Sequence, residues 1–75
     1  MTAILQWGNG RTAIRVGDLV QVKNRKKGGR TYESKVYKIY LTPDGGSANF
    51  ETEDPKNGGI YLVPRDRIKK LKSRE

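Results

Sequence analysis

Apolar and polar residues alternate in short runs along this chain, and residues typical of turns separate the runs. The clearest run is Leu19–Lys23, in which Val20 and Val22 occupy one side and Gln21 and Lys23 the other. Alternation with a period of two is typical of a β-strand with one buried face. The pattern therefore predicts a strand at 19–23 whose valines face the core.

Four further runs are rich in the β-branched and aromatic residues that favour strands. They are Thr2–Trp7, Tyr32–Thr42, Ser47–Glu53 and Ile60–Val63. Glycine, asparagine and proline suit turn conformations, and they separate the runs at positions 8–10, 17–18, 42–46 and 54–59. After Pro64, which cannot donate to a strand ladder, the sequence predicts one 3-10 turn at 65–67. Ile68 and Leu71 are then expected to close against the core.

The longest run, 32–42, has two faces that compete for the core. One face carries no charge between positions 37 and 41, so it is expected to be buried, and it holds Tyr37, Ile39 and Leu41. The opposite face is expected to point outward and holds Tyr32, Val36, Lys38 and Tyr40. In the first run, the residues expected to share a face are Ala3, Leu5 and Trp7, with Trp7 packed against the core. In the run 47–53, the corresponding set is Ala48, Phe50 and Thr52.

These elements predict an all-β fold, since no amphipathic helical run of useful length is present. The 75 residues make one domain, with an N-terminal strand and turn at 1–13 and a frayed tail at 72–75. A chain of this size is too short for an immunoglobulin-sized sandwich. A single closed or nearly closed barrel of five or six short strands is therefore expected, because closure removes exposed strand edges.

Two short motifs resemble parts of a known fold family. The segment Val16–Val22, VGDLVQV, resembles the opening strand of SH3-like barrels, including KOW and Tudor-type modules. The segment Leu62–Ile68, LVPRDRI, is similar to the final strand, 3-10 turn and closing strand of that family. The resemblance implies a small SH3-like barrel whose long loop after the first strand, Asn24–Thr31, is a binding element. The aromatic motif of peptide-binding SH3 domains is missing, so recognition of proline-rich peptides is not implied.

The amino-acid composition limits the kinds of catalytic site that the chain can form. The chain has no histidine and no cysteine, so it lacks the usual general base near neutral pH and the usual thiolate nucleophile. We therefore expect no catalysis, no cofactor and no small-molecule substrate. The acidic cluster Glu51, Glu53 and Asp54 has the oxygen ligands of a hard-cation site, but it is expected to be solvated and paired with nearby cations, with no metal. The absence of cysteine, of an apolar run long enough to span a membrane and of a secretory signal favours the cytoplasm.

The excess of positive charge is the sequence feature that says most about function. Sixteen Lys and Arg stand against eight Asp and Glu, for a net charge of +8, and such an excess attracts polyanions. The first set of cations surrounds the loop and comprises Lys23, Arg25, Lys26, Lys27, Arg30, Lys35 and Lys38. The second set lies near the C-terminus and comprises Arg65, Arg67, Lys69, Lys70, Lys72 and Arg74. Either set also has a simpler explanation, which is solubility.

Two functions fit these cations. The first is nucleic-acid binding, to DNA or RNA, through backbone phosphates and with little sequence readout. In that case the predicted outward tyrosines, Tyr32 and Tyr40, add base stacking in single strands. The alternative is a small accessory subunit that docks an acidic protein through its basic loop or C-terminal segment. Exposed tyrosines among the cations favour nucleic acid, because docking by charge does not need them.

Overall fold

The computed structural model of the chain describes residues 2–23 and 31–72. In these two ranges the regular structure consists of nine short strands and two 3-10 turns. The strands are β1 (Thr2–Ile4), β2 (Gln6–Trp7), β3 (Ile14–Arg15), β4 (Leu19–Val22), β5 (Tyr32–Lys35), β6 (Lys38–Leu41), β7 (Ala48–Glu53), β8 (Ile60–Pro64) and β9 (Ile68–Lys72). The 3-10 turns are η1 (Gly10–Thr12) and η2 (Arg65–Arg67). The all-β prediction is confirmed.

The strands pair antiparallel in three groups. A four-stranded sheet has the order β1-β6-β7-β8, a three-stranded sheet has the order β5-β4-β9, and β2 pairs with β3. The described strands form these separate sheets and do not make one closed ring. Both larger sheets contribute side chains to one core, so the four-stranded and three-stranded sheets face each other across it.

The core is small and mostly aliphatic. Its buried members are Ile14, Val20, Val22, Val36, Ile39, Ala48, Phe50, Val63 and Ile68. Phe50 is its largest side chain and is fully buried. The alternation predicted for β4 and β7 is confirmed, because Val20, Val22, Ala48, Phe50 and Thr52 are all buried. Burial of these side chains is the main favourable term available to a domain of this size.

The predicted strand 32–42 is divided into β5 and β6, which belong to different sheets. The division lies at Val36 and Tyr37. The Val36 N–H donates to the carbonyl of Asp18, just before β4 (2.9 Å), whereas the Tyr37 N–H donates to the carbonyl of Glu51 in β7 (2.9 Å). Side-chain alternation changes phase at this point, so that both Val36 and Ile39 are buried.

The phase change corrects the predicted faces of this run. Ile39 is buried and Lys38 exposed, as expected. The assignment was wrong for Tyr37, which is 46% exposed, and for Val36, which is buried. It was also wrong for Tyr32, which is half-buried and packs against the core.

The N-terminal run is also divided. A bend at Leu5 separates β1, which pairs with β6, from β2, which pairs with β3. As a result Ile4 and Trp7 pack against the core, whereas Ala3 and Leu5 are exposed. The expected packing of Trp7 against the core is confirmed. The prediction that Trp7 shares one strand face with Ala3 and Leu5 was wrong.

Near the C-terminus, the predicted 3-10 turn and the burial of Ile68 are confirmed. Leu71 was predicted to be buried and is instead 41% exposed. The reason is a bulge in the β4–β9 ladder, where the partner of Leu19 is Lys72 but the partner of Val20 is Lys70. The extra residue takes Leu71 out of the alternation. Lys72 belongs to β9 and not to a frayed tail.

The turns form where glycine, proline and asparagine were expected. In the β6–β7 hairpin, Gly45 has φ +73°, a conformation that favours glycine. Hydrogen bonds donated by the Thr42 hydroxyl and the Gly46 N–H lower the pKa of Asp44. In the β7–β8 hairpin, Gly58 has φ +70°.

A buried ion pair joins the start of β4 to β9. The carboxylate of Asp18 is fully buried, accepts a hydrogen bond from the Arg15 N–H (2.9 Å) and lies 3.7 Å from Lys70 Nζ. Lys70 Nζ also donates to the carbonyl oxygen of Ala13 (2.9 Å). One ammonium group therefore connects three parts of the chain: the end of η1, the β3–β4 turn and β9.

We predict that Lys70→Met lowers the free energy of unfolding by about 2–4 kcal/mol, because the Asp18 carboxylate then remains buried without its cation. The neighbouring Lys69 is exposed, so Lys69→Met is a matched control with an expected change below about 0.5 kcal/mol. The double variant Asp18→Asn/Lys70→Met is expected to be more stable than Lys70→Met alone. Urea unfolding followed by circular dichroism measures all three. Equal effects of Lys70→Met and Lys69→Met would contradict the structural role of the pair.

Candidate functional site

Pairing of β4 with β9 brings Lys23 of the first predicted set of cations next to Arg67 of the second set. The Lys23 N–H donates to the Arg67 carbonyl (2.8 Å), and Arg67 Nε donates back to the Lys23 carbonyl (2.9 Å). Lys23 begins the long basic segment of the sequence, and Arg67 immediately precedes β9. Two segments more than forty residues apart in sequence therefore become neighbours in one surface.

A shallow hollow of about 510 Å³ marks this surface. Its cationic lining residues are Arg11, Lys23, Arg65, Lys69, Lys70 and Lys72, and Asp66 is the one acidic residue among the lining residues described. We call these six cations the basic surface. Ligand pockets of this volume are usually lined by apolar side chains, whereas this lining suits an anion with several negative charges.

The six cations differ in how free their charged groups are. Lys70 forms an ion pair with Asp18 and hydrogen bonds to two backbone carbonyls. We therefore regard it as a structural residue of the hollow and not as a ligand-binding one. Arg65 Nη1 donates to the Ile68 carbonyl (2.7 Å), which leaves its other N–H groups for a ligand. Lys23, Lys69 and Lys72 are exposed. These three lysines are the ammonium groups best placed to meet a polyanion.

Arg11 is part of this surface although the sequence analysis did not select it. It lies in η1 and is exposed. Its backbone carbonyl lies 3.3 Å from Lys70 Nζ, and this contact holds η1 beside β9. Only a long-range contact places Arg11 here, and no local pattern around it indicates such a position.

Lys35 lies near the basic surface on the same sheet. Leu19 of β4 has Lys35 as its partner in β5 and Lys72 as its partner in β9. Directly paired residues of antiparallel strands share a sheet face, so the two lysines flank Leu19 on one face. Gln21 is similarly flanked by Glu33 and Lys69, which adds one carboxylate to this face.

Lys38 and Tyr40 lie elsewhere. Both belong to β6 of the four-stranded sheet, where Lys38 is paired with Glu51 and Tyr40 with Asn49. Tyr32 is half-buried, and its hydroxyl lies 2.9 Å from Thr52 Oγ1. The predicted arrangement of outward tyrosines among the loop cations was therefore wrong for Tyr32, and Tyr40 is on the other sheet. Of the remaining predicted cations, Arg25, Lys26, Lys27, Arg30 and Arg74 lie outside the described residues.

The acidic residues Glu51, Glu53 and Asp54 do not form a metal-ion site. Glu51 is paired across strands with Lys38, Glu53 accepts a hydrogen bond from the Tyr37 hydroxyl (3.3 Å), and Asp54 accepts one from the Lys56 N–H (2.9 Å). Desolvation, with the Glu53 carboxylate as a second cause, raises the pKa of Tyr37. Residues 2–23 and 31–72 contain no group of three or more side chains arranged to hold a metal ion.

Nowhere in the described part of the chain is there a helix with the length and apolar character needed to cross a membrane. Comparison of the chain with protein-family models, with curated proteins and with solved structures found no match.

Proposed function

We propose that this chain is a nucleic-acid-binding module that contacts backbone phosphates through its basic surface. The observation that carries the proposal is the junction of Lys23 with Arg67, which joins cations from two segments distant in sequence. Each Lys or Arg that meets a phosphate releases condensed counterions, and this release favours binding whatever the base sequence. The basic segment 24–30 follows Lys23 directly in the sequence, so its four cations extend the same site in this proposal.

The fold that we propose for this module is a small SH3-like barrel. Support comes from the order of the described elements: β4, a strand divided between two sheets, two hairpins, a 3-10 turn and a closing strand. In this arrangement β5 and β6 together represent one long bent strand. The resemblance of the segments 16–22 and 62–68 to that family supports the same assignment.

Recognition is expected to use charge and not bases. No aromatic side chain is among the described residues that line the hollow, and the sequence of segments 24–30 and 73–75 contains none either. Base stacking on aromatic rings is the usual source of affinity for single strands beyond charge. The proposed module therefore binds phosphate backbones with little distinction of sequence.

The proposal also includes the absence of catalysis and of a cofactor. Its support is a composition without histidine or cysteine, which removes the commonest general base and nucleophile. A cytoplasmic location belongs to the same proposal, since a chain without cysteine needs no oxidising compartment.

One observation favours a second candidate, an accessory subunit that docks an acidic protein. No tyrosine is among the described residues that line the hollow, and docking by charge does not require one. The two candidates differ in their dependence on salt. Nucleic-acid binding through several phosphates persists at physiological salt and weakens with a steep, linear dependence of log K on log salt.

We predict that the double variant Lys69→Ala/Lys72→Ala weakens binding to a DNA duplex roughly tenfold at low salt and lowers the slope of log K against log salt by about 1.8, or about 0.9 for each lost contact. The matched control is Lys38→Ala/Lys56→Ala, which has the same net charge but changes exposed lysines outside the basic surface. The control is expected to retain most of the affinity and the slope. Fluorescence anisotropy across a salt series measures both.

Equal losses in the two double variants would mean that net charge alone, and not the basic surface, determines binding. Duplex and single-strand binding that is absent at physiological salt, together with binding of an acidic protein that still requires Lys69 and Lys72, would favour the second candidate.

We also predict that Tyr40→Ala leaves the affinity for single-stranded DNA unchanged within about twofold, because Tyr40 lies on the sheet opposite the basic surface. Loss of a base stacked on this ring would instead cost about 1–3 kcal/mol, or at least fivefold in affinity. Anisotropy with labelled oligonucleotides at one salt concentration distinguishes the two results. A fivefold loss would place the single-strand path on the four-stranded sheet.

A further inference from the structure

β8 is an edge strand with an unusual composition. It pairs with β7 on one side, and within residues 2–23 and 31–72 no strand pairs with its other side. Its sequence IYLVP contains no charged residue. The other edge of similar length, β9, carries three lysines, and the edge strand β5 carries Glu33 and Lys35. Charged residues on edge strands discourage pairing with other chains, and β8 has none. The edge strand β1 is also uncharged but has only three residues, so β8 is the longer uncharged edge of this sheet.

The side chains of this strand are also exposed. Ile60 is 55% exposed, Tyr61 45% and Leu62 47%, and of the five residues only Val63 is buried. Two of these residues also line a second hollow, on the outer face of the four-stranded sheet. Its lining residues are Tyr40, Glu51, Ile60 and Leu62. Isolated exposed apolar side chains are common, but a contiguous group on an unpaired strand indicates an interaction site.

The charges around β8 select the kind of partner. In the neighbouring strand β7, Glu51 is the partner of Leu62 and Glu53 is the partner of Ile60, so a polyanion is disfavoured on this face of the sheet. Another hollow, lined by four residues of β8, includes one cation, Arg67, and one carboxylate, Asp54. Two copies of a chain with net charge +8 repel each other least where positive charge is lowest. The face of β8 that carries Ile60 and Leu62 is such a place, because the hollow beside it includes Glu51 and has no cation among its described lining residues.

We infer that two copies of this chain associate by antiparallel pairing of their β8 strands, which joins two four-stranded sheets into one. Antiparallel pairing of a strand with its own copy has twofold symmetry and is therefore self-complementary. With the twofold axis at Tyr61, Ile60 of each copy lies opposite Leu62 of the other, so the pairs that meet are apolar. Pro64 lacks an N–H and limits the new ladder to the residues before it.

The dimer is expected to be weak. A strand of five residues is only about 17 Å long, so the pair buries less than the roughly 1,200 Å² found in stable protein–protein interfaces. The basic surface is formed by β4, η1, η2 and β9 and does not include β8. The dimer therefore presents two basic surfaces, and its formation does not rest on the proposed nucleic-acid binding.

Sedimentation equilibrium of the intact chain tests this inference. Measurements run from about 10 μM to 1 mM protein in about 0.5 M NaCl, where repulsion between the copies is screened. The average mass of the wild type is expected to rise from 8.5 kDa towards twice that value. Leu62→Lys is expected to weaken association at least tenfold. Leu5→Lys is the matched control, since it adds the same charge at an apolar residue that is 80% exposed and lies away from β8.

Amide hydrogen exchange of the wild type gives a second readout that does not depend on a variant. The amides of 60–63 that face the free edge should become protected as concentration rises. A wild type that stays monomeric at 1 mM, equal effects of Leu62→Lys and Leu5→Lys, or growth beyond a dimer would each overturn the inference. Protection of 60–63 only on addition of an extended peptide from another protein would overturn it as well.

Discussion

The fully buried carboxylate of Asp18 is the constraint on which the arrangement of this chain depends. A buried charge requires a countercharge and hydrogen-bond donors nearby, and Lys70 and the Arg15 N–H supply them. Since Lys70 lies in β9 and Asp18 immediately precedes β4, this ion pair holds β9 against the start of β4, and the bond from Lys70 to the Ala13 carbonyl adds the end of η1. That pairing brings Lys23 beside Arg67 and makes one surface from two distant groups of cations. A structural ion pair thus positions the residues proposed to bind nucleic acid.

The second constraint is the small supply of apolar residues. The core must be filled from two sheets, and the chain achieves this by using the segment 32–41 in both. Val36 and Ile39 are buried on either side of the change in phase. A consequence is that the tyrosines are distributed unevenly: Tyr32 packs against the core, whereas Tyr37 and Tyr61 are exposed. Ile60, Tyr61 and Leu62 lie in the four-stranded sheet, whereas the cations of the basic surface lie in or next to β4, β9 and the two 3-10 turns, so the two proposed interactions use different residues.

The sequence predicted those strands and turns that depend on residues close to one another in the chain. Alternation identified β4 and β7, and glycine and proline identified the hairpins and η2. It did not predict the bend at Leu5, the division at Val36 or the bulge at Leu71, because each depends on a hydrogen bond to a strand distant in sequence. The same holds for the site. Charge density indicated both groups of cations, but their junction, the engagement of Lys70 and the contribution of Arg11 follow only from tertiary pairing.

Cations from segments distant in sequence are proposed to act as one nucleic-acid-binding surface. An NMR titration of the isotope-labelled chain with a short DNA duplex tests this proposal most directly, because every backbone amide except those of the prolines reports separately. Chemical-shift changes are expected to concentrate at Arg11, Lys23, Lys69 and Lys72, while the amides of β6 and β8 remain unchanged. Shifts concentrated on β6 and β8, with Lys69 and Lys72 unaffected, would contradict it.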